Sequence, residues 1–93
     1  MNARDIQLVL AAAGYYSGGI DGAFGRLSWA AVAAVEAAFA DRYAFSATSA
    51  AEARRRTAAV QACLDKLGFE PGLIDGWSGP NTTEALNLFL LDR

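Results

Sequence analysis

Histidine is absent from this chain, and one cysteine, Cys63, stands without a partner. Structural zinc and haem need several nitrogen or sulfur ligands, so no such set exists, and no metal or other cofactor is expected. The same absence removes Ser–His and Cys–His nucleophile pairs and any internal disulfide framework. Only two prolines interrupt an alanine-rich chain, which favours helix. Lys and Arg total 8 against 10 Asp and Glu, a net charge of −2. A nucleic-acid partner would call for a basic footprint, so none is expected. No apolar run is long enough to cross a bilayer, and no membrane partner is expected.

What the chain has instead is apolar content and internal repetition. Hydrophobic residues make up 54% of 93 residues, too many for disorder and enough for one compact domain spanning 1–93. Residues 14–25, GYYSGGIDGAFG, recur with a shift of 54: Gly14 falls on Gly68, Tyr15 on Phe69, Gly18 on Gly72, Asp21-Gly22 on Asp75-Gly76 and Gly25 on Gly79. The flanks follow, with Ile6-Gln7 on Val60-Gln61, Leu10 on Leu64, Ser28 on Thr82 and Val35 on Phe89. Each copy, about 35 residues, is below the size that normally folds alone, so the two should share one core. The expected architecture is an all-α bundle of about four helices from two pseudo-symmetric helix–loop–helix repeats. Repeat one covers 2–40, a connection 41–48, and repeat two 49–93.

Residues 6–14, IQLVLAAAG, invite reading as a short signal peptide. Asp5 and Gln7 break that pattern, and the segment recurs internally at 60–68, where no signal could act. Nothing in the sequence directs export, so localisation stays open. A cell-wall or virion location would need another delivery route.

Taken in order, Asn2 can cap a first helix whose Ile6, Val9, Leu10 and Ala13 form one apolar stripe. Gly14 ends it in a left-handed conformation, with Tyr15 folding back on Leu10, and Gly68-Phe69 repeats this over Leu64. Ile20 and Ile74 plug the glycine-rich loops into the core. A second helix begins near Arg26 or Leu27 and runs to about Ala40, with Ala31, Val32, Val35 and Phe39 inward. Tyr43 and Phe45 anchor the connection. Ser49 and Glu52 have capping-box spacing, so the third helix should start there and run through Leu67, about two turns longer than the first. The run Arg54-Arg55-Arg56 reads as a solvated face or as a contact for a partner's carboxylates or phosphates. Ser78 or Gly79 caps the last helix, with Pro80 in its first turn and Ala85, Leu86, Phe89 and Leu90 inward.

These residues resemble the helix–loop–helix signature of peptidoglycan-binding-domain-like modules, the small helical domains attached to many cell-wall hydrolases. The first copy carries the likeness through Ile6-Gln7, Leu10, Gly14-Tyr15-Tyr16, Gly18, Ile20-Asp21-Gly22, Phe24-Gly25, Ser28 and Ala31-Val32. The second carries it through Val60-Gln61, Leu64, Leu67-Gly68-Phe69, Gly72, Ile74-Asp75-Gly76, Gly79-Pro80, Thr82 and Ala85-Leu86. Val35-Glu36 and Phe89-Leu90 stand where the family usually has Phe-Gln, Arg26 stands where proline is common, and the family's Gly-Leu tail is missing after both copies.

The resemblance implies a non-catalytic module that binds peptidoglycan, its glycan or its peptide. A sugar–peptide polymer presents flat ring faces, hydroxyls and amides, which exposed aromatics and a few fixed polar groups would meet. Tyr16, Phe24 and Trp29 around the first loop, and Trp77 with Ser78 around the second, fit that need. Trp77 serves either loop packing or the ligand, and Trp29 leans toward structure. Asp21 and Asp75 are the acids repeated in register. Each suits an Asx-type bond to its own backbone, and paired catalysis on a glycan would require them to face one bond. The alternative is a structural or protein-interaction subunit of a phage particle or secretion assembly, which keeps the helical frame and binds a protein such as a hydrolase or a phage structural component.

Overall fold

Four α-helices carry the structure, a computed structural model that describes residues 1–93 except for the Thr48 side chain. Of the expected connection 41–48, that side chain alone lies outside the described residues. Helix α1 spans Ala3–Ala12, α2 Arg26–Ala38, α3 Glu52–Lys66 and α4 Pro80–Leu91, with short 3-10 turns at Ala40–Arg42 and Ala47–Ser49. Among the described residues no strand forms. A single parallel bridge joins Tyr43 to Ile74, where the Ala44 N–H donates to the Ile74 carbonyl at 2.9 Å.

The helix ends follow from local chemistry. Asn2 accepts the Asp5 N–H on its side-chain oxygen at 2.8 Å, which satisfies one otherwise orphaned donor of α1. At the other end Gly14 takes φ +91°, the Tyr15 N–H reaches the Leu10 carbonyl at 2.9 Å and the Gly14 N–H reaches Ala11 at 3.0 Å. This is a Schellman closure, and Gly68 with Phe69 repeats it over Leu64 and Asp65. Lys66 adds a cap from α3, its ammonium donating to the Ala13 carbonyl at 2.7 Å near the negative end of α1. Helix α4 starts from Gly79 with Pro80 at its first position.

Helix α3 is the centre of the packing. It contacts α1, α2 and α4, and its residues 58–64 are all buried, so this helix is enclosed rather than one-faced. Around it gather Ile6, Val9 and Leu10 from α1, Ala31, Val32 and Val35 from α2, and Ala85, Leu86 and Phe89 from α4, all in one cluster. Ile74 is buried in that cluster and Ile20 packs against its edge. Leu10 and Leu64 are fully buried, each contributing roughly 2 kcal/mol of apolar transfer. Cys63 lies there too, its thiol pushed up to about 12 by burial against a smaller opposing pull from Lys66, so it fills space as a neutral group.

One helix start departs from the sequence expectation. Ser49 does not cap α3: it ends a 3-10 turn, three residues before the helix, where its hydroxyl donates to the Ser46 carbonyl at 3.3 Å. Residues 50 and 51 then run extended, and α3 begins at Glu52 with the featureless Ala51 as its N-cap. At 15 residues against 10, it exceeds α1 by little more than one turn.

A Cβ built on Gly14 or Gly68 would meet nothing within 4 Å, so only the backbone opposes a side chain there. Gly14→Val and Gly68→Val should each destabilise by about 1 kcal/mol or more in urea unfolding, the cost of a β-branched residue in the left-handed region. Unchanged midpoints would show that these ends do not need glycine.

Candidate functional site

Both glycine-rich loops are built around a buried glutamine. Gln7 on α1 is 0% exposed and Gln61 on α3 is 1% exposed, and a carboxamide in such a place must find partners for two donors and an acceptor. Gln61 Oε1 accepts the Gly76 N–H at 2.8 Å. Its Nε2 donates to Asp75 Oδ1 at 3.1 Å, to the Trp77 carbonyl at 3.0 Å and to Thr82 Oγ1 at 2.9 Å. The same bonds occur in the first loop. Gln7 Oε1 accepts from Gly22 N, and Nε2 reaches Asp21 Oδ1, the Ala23 carbonyl and Ser28 Oγ at 3.0–3.2 Å. Two amide protons face more acceptors than they can serve at once, so each donor is fully used and the acceptors are in excess. One amide thus ties the helix before each loop to the loop and to the helix after it.

Asp21 and Asp75 complete the turns. Each carboxylate also accepts the N–H two residues on, Ala23 and Trp77 respectively, at 2.9 Å. In Asp21 that backbone bond, followed by the Gln7 amide, holds the carboxyl below its ordinary range. Because its pKa is lowered on folding, the turn gains from the ionised form above the unfolded value and loses that support as pH falls through the folded one.

Two clefts open beside these turns. The first, of about 330 Å³, is lined by Tyr16, Asp21, Ala23, Arg26 and Leu27. The second, of about 220 Å³, lies between Pro71, Leu73, Asp75, Trp77, Pro80 and Asn81. Ser78 lies apart from both, in a groove of about 450 Å³ with Ile6, Glu52 and Arg56.

The expected row of exposed aromatics is reduced to one. Tyr16 is buried at 9% exposure; its hydroxyl donates to the Gly19 carbonyl at 2.7 Å and accepts from Gln7 at 3.3 Å, so it closes the first loop from inside. Phe24 and Trp29 are half-buried and stack edge to face with centroids 5.1 Å apart. Trp77 is 60% exposed, on the rim of the second cleft beside Leu73 at 72%.

The arginine run is not simply a solvated face, because each of the three is half-buried against groups of the chain itself. Arg54 lies between the rings of Phe45 and Trp77, 4.0 and 4.2 Å from their centroids, and its Nε donates to the Asp75 carbonyl at 2.9 Å. Arg55 forms a two-bond fork with Glu36 on α2, both contacts at 2.8 Å. Arg56 covers Phe24 and Trp29 at 4.3 and 5.2 Å. Successive helical residues point about 100° apart, so three neighbours reach the second loop, α2 and the first loop in turn. The sequence signal for the glutamines was present: a polar residue three positions before Leu10 and Leu64, inside the apolar stripe, in both copies.

Among the described residues no group of three acidic, Cys or His side chains could hold a metal ion, and no helix is long and apolar enough to cross a membrane. Compared with protein-family models, curated proteins and solved structures, the chain matches none of them.

Gln61→Leu keeps the volume and strands the Gly76 N–H, so it should destabilise by about 3 kcal/mol. Gly76→Ala should cost more than Gly22→Ala although both have φ near +76°. At Gly76 a Cβ collides with Arg54 Cγ and comes within 2.9 Å of the Arg54 carbonyl, whereas at Gly22 it meets nothing. Equal losses in thermal unfolding would show that Arg54 does not press on the loop.

Proposed function

We propose that this chain is a non-catalytic peptidoglycan-binding module of the peptidoglycan-binding-domain-like kind, made of two related helix–loop–helix units, with its contact surface at the second cleft. The observation that carries the reading is Trp77, an exposed indole at 60% on the rim of a cleft that also offers Leu73, Pro71 and the Asn81 amide. An indole face beside a fixed amide suits a saccharide ring, which stacks through its C–H face and hydrogen-bonds at its edge. Asp21 and Asp75 are each engaged by their own turn, which fits a frame role better than acid–base work.

A second reading, a protein-interaction subunit, draws on α4, where Leu88 and Leu91 are 48% and 83% exposed. In that role α4 would meet another protein and the clefts would stay empty.

Co-sedimentation with purified sacculi separates the two. The parent chain should pellet, Trp77→Ala should reduce pelleting by about tenfold, equivalent to roughly 1.4 kcal/mol of lost stacking, and Tyr16→Phe should pellet nearly as well as the parent. A parent that stays in the supernatant sinks the wall-binding reading.

A further inference from the structure

Trp77 is the exposed aromatic of the second cleft, yet it is not a free side chain. The Arg54 guanidinium lies 4.2 Å from its ring centroid and 4.0 Å from that of Phe45, so the cation is held between two rings. Arg54 Nε fixes the sandwich to the loop backbone at the Asp75 carbonyl, 2.9 Å away. Gly76, next to Trp77, lacks the Cβ that would collide with the Arg54 stem. Arg54, itself held by the Phe45 ring and the Asp75 carbonyl, therefore sets one face of the indole.

Resting on the wall-binding reading above, we infer that Arg54 is the positioning and specificity residue of this cleft: it fixes Trp77 as a rigid stacking face for an electrically neutral saccharide ring and bars cationic ligands. Two physical reasons meet here. An indole already ordered in the free protein loses less rotamer freedom on binding. The negative face of the ring is also engaged by a cation on its inner side, and a second cation on the outer side would meet a quadrupole already in use, with the guanidinium 4.2 Å beyond the ring centre. A pyranose C–H face carries no such charge. Quaternary ammonium groups, which bind free aromatic faces well, are disfavoured. Phe45 brings the connection between the repeats into support of the site.

The test uses Trp29→Phe as the parent, so that emission reports Trp77 alone. Arg54→Gln should raise acrylamide quenching of Trp77 about twofold, and Arg54→Lys, which keeps charge without the planar stack, should fall between. Phe45→Leu, which leaves Arg54 and Trp77 intact, should move quenching in the same direction and covers the case in which Arg54→Gln folds poorly. With chitotetraose as probe, Arg54→Gln should weaken the Trp77 emission response several-fold, and it should bind choline more tightly than the parent does. Unchanged quenching in both Arg54→Gln and Phe45→Leu overturns the inference, as does choline binding to the parent as tightly as chitotetraose. Quenching needs no ligand, so a rise in the variants alongside a parent that ignores sacculi and chitotetraose would count against wall binding while leaving the positioning role standing.

Discussion

A carboxamide sealed inside an apolar core is costly to leave unpaired, about 1–3 kcal/mol for each orphaned group, and this chain seals two. Gln7 and Gln61 dictate the loops that follow from that cost. Oε1 needs an N–H, which comes from Gly22 or Gly76; presenting it requires φ of +75° or +77°, so glycine occupies both places. Nε2 needs acceptors, which come from the aspartate of the turn, the carbonyl beyond it and a hydroxyl on the next helix, Ser28 or Thr82. Helix, loop and helix thus meet at one amide, and glycine-dense loops gain fixed shapes without regular structure.

The arginines of α3 act from outside the same loops. Because the middle of α3 is enclosed by the other helices, its two ends are where it reaches surface elements, and the arginines occupy the first. Arg55 takes Glu36 on α2 in a two-bond fork that ties α3 to α2. Arg54 and Arg56 place delocalised cations on ring faces, a geometry that a lysine would fill poorly. An exposed ion pair contributes little, but these guanidiniums lie half-buried and stacked, where shape counts as much as charge.

Local rules made part of this legible in the sequence. Helix ends at Gly14 and Gly68 depend on neighbours within five residues, and an isoleucine among glycines has one obvious use, so both could be read directly. The start of α3 could not: Ser49 and Glu52 have the right spacing, but Ser49 is drawn into a 3-10 turn and the extended residues 50 and 51 separate it from the helix. Tyr16 looked like an outward aromatic beside Tyr15, and only the distant Gln7 and the curled Gly19 carbonyl turn it inward. The contacts of the arginine run were hidden for a like reason, since the hydrogen-bond partners of Arg54 and Arg55 lie 21 and 19 residues away on other elements. Pattern shows which residue types recur, while the pairing of polar groups over long separations is decided by packing.

The two clefts show what the amide frame leaves undetermined. Gln7 and Gln61 bind the backbone at residues 23 and 77, through the carbonyl, and never the side chain there. Alanine and tryptophan are therefore equally compatible with the frame, and the first cleft carries Ala23, Gly19 and Arg26 where the second carries Trp77, Leu73 and Pro80. The frame specifies loop shape, and the side chains it does not touch specify the surface. A chain built this way can change what one loop recognises without disturbing its own core, because the bonds that hold the loop and the atoms that would meet a ligand belong to different parts of the same residue.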